Sequence, residues 1–129
     1  MKVEHIAIWT RNIERLRKFY EKYFGAVSNA RYINVRRQFE SYFLSFHTGA
    51  RLEIMYAPGI QESHTDKSIK QIGYAHLAFS LGSREQVDTL TSQLQSDGYE
   101  ILDGPRYTGD GYYESSFLDP DGNLIELTI

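Results

Sequence analysis

Four side chains in this sequence have the types and spacing of a divalent-cation site: His5, Glu53, His76 and Glu126. His5 precedes Glu53 by 48 residues and His76 precedes Glu126 by 50, so one His–Glu pair occurs twice at nearly the same separation. Two imidazoles and two carboxylates form a mixed nitrogen–oxygen set, which suits a borderline or moderately hard ion such as Zn, Ni, Co, Mn or Fe. Four protein ligands on a six-coordinate ion leave two positions for water or substrate. Those open positions mark a catalytic centre rather than a closed structural one. Taken singly, a strand His is more often a hydrogen-bonded core residue, and an outward Glu is more often solvated. The matched recurrence of the pair is what favours a metal.

The pairs lie within a longer repeat. The chain opens with VEHIAIW, and a related YAHLAFSL begins at residue 74. GARLEIMY at 49–56 is echoed by GNLIELTI at 122–129, with Gly49 over Gly122 and Phe46 near Phe117. Each half reads as a strand, a helix and three strands. The expected fold class is therefore α+β: two tandem βαβββ units forming a curved mixed sheet with helices on its convex side. The expected units are 1–57 and 73–129, joined by a polar linker at 58–72 with turn chemistry at Pro58-Gly59.

The elements that must position the four residues follow from periodicity. Strands are expected over 2–9, 27–35, 39–46 and 51–57 in the first unit. In the second they are expected over 74–81, 99–102, 112–118 and 123–129. Ile13, Leu16, Phe19, Tyr20, Tyr23 and Phe24 recur at helical spacing, with caps among Thr10–Asn12 and a stop at Gly25. Val87, Leu90 and Leu94 form the second helix stripe, opened by Ser83 and Gln86 in a capping-box arrangement. Asp119-Pro120-Asp121-Gly122 signals a tight hairpin, and 103–111, rich in Gly and Pro, reads as a loop. Side chains alternate across a strand. His5 therefore opposes Ile6 and Ile8, and Glu53 opposes Leu52 and Ile54. His76 opposes Leu77 and Phe79, and Glu126 opposes Ile125 and Leu127. All four polar residues project away from the helix-facing sides. His47 and His64 fall in polar segments and are expected to be exposed. Arg31, Arg36 and Arg37 read as a solvated hairpin or as a clamp for an anionic substrate group.

Composition narrows the function classes. The chain has 129 residues, no Cys and a net charge of −3. Without Cys there is no thiol nucleophile, redox dithiol, iron–sulfur ligation or Cys-based zinc site. The acidic balance argues against nucleic acid as a partner. No apolar run approaches ~18 residues, and the N-terminal segment lacks signal-peptide character, so no membrane partner and a cytoplasmic location are expected. No Gly-rich phosphate loop and no GxSxG elbow occur, which counts against nucleotide enzymes and α/β-hydrolases. The aromatic share is 14% (ten Tyr, seven Phe, one Trp), as suits either an aromatic-lined cavity or a half-exposed sheet.

The opening EHIAIW, the helix end KFYEKYFG, the strand YAHLAFSL and the ending FLDPDGNLIELTI together resemble the vicinal oxygen chelate superfamily of glyoxalases, bleomycin-resistance proteins and dioxygenases. The resemblance spans essentially the whole chain, and in ligand type it is nearest to glyoxalase I. It implies a divalent metal held by His5, Glu53, His76 and Glu126, and a lyase or isomerase reaction on a hemithioacetal through an enediolate. It further implies Glu126 as the proton-shuttling base, with Glu53 the second candidate. A homodimer with ligands shared between chains is also implied. Two departures count against glutathione as co-substrate. Trp9 stands where glyoxalase I has an arginine, and Met55-Tyr56-Ala57 stands where it has an asparagine. Trp9, Arg106 and Tyr113, with Tyr112, are the candidate substrate contacts. The competing reading within the superfamily is an antibiotic-resistance type of protein that binds a drug or adds a thiol to it. Glu53 counts against thiol transferases and ring-cleaving dioxygenases, which use two His and one Glu.

Overall fold

A computed structural model describes residues 1–62, 70 and 72–129. They divide into two compact units, Met1–Glu62 and Ser63–Ile129. The expected linker at 58–72 lies partly outside the described residues, and His64 lies there entirely.

The first unit runs β1 (His5–Trp9), α1 (Ile13–Phe24), β2 (Val27–Ser28), β3 (Tyr32–Asn34), β4 (Phe39–Ser45) and β5 (Arg51–Tyr56). Helix α1 starts where Asn12 accepts a hydrogen bond from the Arg15 amide at 3.0 Å, and it stops at Gly25 in the left-handed conformation. Its buried stripe is Ile13, Leu16, Phe19 and Tyr20, which packs on β4 and β5 over Leu44, Leu52 and Ile54. The sheet order is β1-β5-β4-β2, with β3 also paired to β4. The single strand expected over 27–35 is thus two short ones. They are interrupted where the Asn29 side chain accepts from the Phe43 amide at 2.9 Å, taking the place of a ladder carbonyl. Residue 35 belongs to the turn that leads to β4.

The second unit runs β6 (Leu77–Ser80), α2 (Arg84–Ser96), β7 (Ile101–Tyr107), β8 (Tyr113–Leu118) and β9 (Leu124–Thr128). Its sheet order is β6-β9-β8-β7. Ser83 caps α2 by accepting from the Gln86 amide at 3.3 Å. The buried stripe is Val87, Thr91 and Leu94 rather than Val87, Leu90 and Leu94. Burying Thr91 is tolerated because its hydroxyl donates to the Val87 carbonyl at 2.7 Å and pairs with the Ser115 hydroxyl at 2.6 Å. The hairpin between β8 and β9 is held by buried Asp119. Its carboxylate accepts from the Asp121 and Asn123 amides, each at 2.9 Å.

The Gly/Pro-rich stretch is not a loop. Residues 103–107 belong to β7, and the true turn follows at 108–112. Pro is admitted because β7 is the edge strand and its ladder to β8 shifts register twice, between Ile101 and Asp103 and between Asp103 and Arg106. Gly104 has φ +78°, and a Cβ there would lie 2.4 Å from the Glu114 carbonyl oxygen. Left-handed strain of ~1–2 kcal/mol and overpacking of ~1–3 kcal/mol combine for Gly104→Ala, so urea unfolding should show about 2–5 kcal/mol of lost stability.

Candidate metal centre

Registry places each His–Glu pair on one face of its sheet. Residues directly opposite in a ladder share a face, and so do residues two apart in a strand. In the parallel pair β1–β5, Ala7 faces Glu53. In the parallel pair β6–β9, Ala78 faces Glu126. Each His sits two residues before that Ala, so the same diagonal occurs in both units. The His5 Nε2 lies 3.8 Å from the Glu53 Oε2, and the His76 Nε2 lies 3.0 Å from the Glu126 Oε2. His76 precedes β6 rather than lying within it, since the ladder to β9 begins at Leu77.

The opposite faces carry the apolar partners. Leu52 and Ile54 are buried under α1, and Ile125 and Leu127 are buried in the core of the second unit. The glutamates are correspondingly half-buried, 15% exposed for Glu53 and 21% for Glu126, against 39% for each histidine. The loop glycines that lead into the two Glu strands also match: Gly49 has φ +90° and Gly122 has φ +80°. Such backbone favours glycine and starts both strands in the same phase.

Sequence reasoning missed Glu4. Its carboxylate hydrogen-bonds the His5 Nδ1 and also pairs with Arg51. These contacts, His5 first, hold its pKa below the usual carboxylate value. A carboxylate on Nδ1 selects the tautomer that leaves Nε2 as a lone-pair donor, the arrangement common behind metal-bound imidazoles. The His5 ring is further braced edge-on by Phe43, with centroids 5.3 Å apart, and the Arg51 guanidinium lies 4.1 Å above the Phe43 ring. The adjacency of Glu4 and His5 in sequence was the available signal.

A second missed carboxylate is Glu114. It faces Thr128 in the β8–β9 ladder, and Ser116 faces Glu126, so Glu114 and Glu126 share a face. Burial, and then the Glu126 charge, push the Glu114 pKa up.

The remaining candidates divide. Trp9 lies on the His5–Glu53 face, opposite Met55, and its ring is edge-on to Phe39 at 6.2 Å. Arg106 stands opposite Glu114, with its guanidinium engaged by Asp103. Tyr113 corrects the sequence reading: it faces α2, is buried, and donates its hydroxyl to Asp88 at 2.5 Å. The reason is parity, because Tyr113, Ser115 and Phe117 all turn toward the helix and Glu114 turns the other way. Tyr112 and His47 are exposed.

Two ligands at about 2.1 Å from one ion and at right angles lie about 3.0 Å from each other. The His76–Glu126 separation matches that value. The His5–Glu53 separation of 3.8 Å needs a sub-ångström side-chain adjustment or a wider angle. The donor set therefore fits a divalent ion. Each unit contributes one His–Glu pair, and among the described residues no group of three or more His, Cys, Asp or Glu is placed to hold a metal ion.

The family model for the Glyoxalase/Bleomycin resistance protein/Dioxygenase superfamily matches residues 2–127. The chain belongs to this superfamily. A curated relative, the YqjT protein of Bacillus subtilis (strain 168), is 40% identical over 60 residues, covering 44% of this chain and 47% of that protein. The chain thus spans about half the length of that relative. Among solved structures, a possible glyoxalase from Bacillus cereus superposes with a TM-score of 0.71 at 24% identity, over 100% of this chain and 99% of the other. The trypanothione-dependent glyoxalase I of Leishmania major gives a TM-score of 0.78 at 21% identity, over 99% and 86%. At those identities the two superpositions establish the shared fold. No helix among the described residues is long and apolar enough to cross a membrane.

Proposed function

We propose that this chain is a metal-dependent lyase or isomerase of the glyoxalase I type, acting on a small substrate with adjacent oxygens. One observation carries the reading: a His–Glu pair recurs at the same register position of two repeated units. His5, Glu53, His76 and Glu126 are the proposed ligands, contributed by one chain or by two chains of a homodimer. A bound Ni, Zn, Co, Mn or Fe ion would supply Lewis-acid stabilisation of negative charge on the substrate oxygens. Glu126 is the proposed base, taking a proton from one substrate carbon and returning it to its neighbour, with Glu53 the second candidate. Glu4 holds the His5 ring in its donor orientation, and Trp9 and Arg106 are the proposed substrate contacts.

Purified protein should retain or take up about one divalent ion per chain when titrated with Ni, Co, Zn or Mn, as measured by elemental analysis and calorimetry. A chain that takes up none is better read as a drug-binding module. Glu4→Gln should weaken that uptake about tenfold or more, because outer-shell carboxylates typically contribute 10–100-fold. With methylglyoxal and glutathione, lactoylglutathione should form slowly or not at all. The basis is Trp9 and the Met55-Tyr56-Ala57 segment, which lack the arginine and asparagine of glyoxalase I. A fast glutathione-dependent rate would mean that other groups take up the glutathione.

A further inference from the structure

We propose that the β3–β4 hairpin forms a subsite for a flat apolar ring carrying a carboxylate, so that the substrate of the proposed metal site is an aryl acid rather than a glutathione adduct. The substrate assignment rests on the chelating role proposed above; the subsite itself does not.

A cavity of about 340 Å³ opens among Tyr32, Asn34, Arg37, Phe39 and Ala57. That volume falls at the lower end of the ~300–1,000 Å³ range of small-molecule sites. Registry shows which way it faces. Tyr32 is opposite Ser41, Asn34 is opposite Phe39, Ser41 is opposite Met55, and Met55 is opposite Trp9. Tyr32, Asn34 and Phe39 therefore lie on the His5–Glu53 face, and Ala57 directly follows the end of β5. Met55, opposite Trp9, lies about 7 Å along β5 from Glu53 at ~3.3 Å per residue.

The walls are aromatic and the charge is positive. Phe39 sits between Trp9 and Tyr32, with ring centroids at 6.2 and 6.1 Å. Trp9 and Tyr32 are half exposed, at 51% and 52%, which leaves ring surface open for stacking. Arg37 is the charged group that lines the cavity, and no carboxylate does. Among the described residues its guanidinium has no hydrogen-bond or ion-pair partner; only its backbone amide is engaged, by Asn34. Glu40, the nearest acidic residue in sequence, is on the other face of β4 and is paired with Arg31. An unpaired planar guanidinium beside half-exposed aromatic rings in edge-on and tilted contact matches a carboxylate attached to an aryl group.

Trp9 is the sole tryptophan, so its fluorescence reports on this face alone. The probe is 4-phenylbutyrate, titrated with and without EDTA, with calorimetry alongside. The expected result is saturable binding in both conditions. Binding should be about tenfold weaker for butyrate, for 4-phenylbutan-1-ol and for Arg37→Ala. Phe39→Leu should weaken the phenyl probe but not butyrate. Absence of saturable binding by both methods, or wild-type affinity in Arg37→Ala, would overturn the subsite. Phenylbutyrate binding by a chain that takes up no metal would overturn the chelating role and leave the subsite standing. Metal uptake without phenylbutyrate binding would remove the subsite alone.

Discussion

Glu126→Ala is expected to weaken Ni or Zn binding by at least about a hundredfold, and His76→Ala by a similar factor. Each removes one of four proposed donors, so the loss should exceed the 10–100-fold of an outer-shell partner. The pair is already close to ligating geometry, with Nε2 and Oε2 3.0 Å apart, so little rearrangement accompanies binding. Removing one member forfeits a donor that costs little to position. Glu114→Gln is the informative comparison, because Glu114 shares the face of Glu126 and its pKa is raised by burial and by the Glu126 charge. It should change metal affinity by less than about tenfold if Glu126 is the ligand. Calorimetric titration of the three variants decides between the two carboxylates. Equal affinity in wild type and Glu126→Ala would overturn the assignment. Folding is checked separately by circular dichroism, since Ile125 and Leu127 on either side of Glu126 are core residues.

A mixed dimer of a His5→Ala chain with a Glu126→Ala chain is expected to retain about half of the wild-type metal. The expectation rests on the proposed homodimer with shared sites, in which each of the two units carries one His–Glu pair. Each unit also presents an open sheet, whose exposed strand edges and polar pair need a second unit of the same kind. If the first unit of one chain meets the second unit of its partner, one site receives both defects and the other is intact. If each site is built within one chain, both sites are damaged and retention falls toward zero. Shared sites also couple metal affinity to protein concentration, because dimerisation then creates the binding site. Sedimentation at micromolar concentration gives the stoichiometry, and a monomer that holds metal would refute the shared arrangement.

The fold was legible because its signals are local and repeated. The two helix stripes, the Gly25 stop, the Asp119–Gly122 hairpin and the period-2 strands are each set by residues within a few positions of one another. Where the reading failed, a long-range partner decided. Residues 103–107 look like a loop by composition, yet pairing with β8 makes them an edge strand that tolerates Pro105 at a bulge. The segment 27–35 has strand composition throughout, yet Asn29 reaching across to Phe43 divides it. Thr91 replaces Leu90 in the core because Ser115 on β8 supplies its hydroxyl with a partner.

By itself the sequence determined the repeat, the superfamily resemblance, the four candidate ligands and their orientation away from the helices. These depend only on identity, spacing and strand parity, which the chain carries in one dimension. Only the tertiary structure decided which atoms meet. Registry between β1 and β5 and between β6 and β9 put each His on the diagonal of its Glu. It also brought Glu4 and Arg51 together behind His5, set Glu114 beside Glu126, and turned Tyr113 toward Asp88 instead of the site face. A cross-strand neighbour is chosen by the alignment of two ladders of hydrogen bonds, and one step in that alignment moves every side chain to the other face.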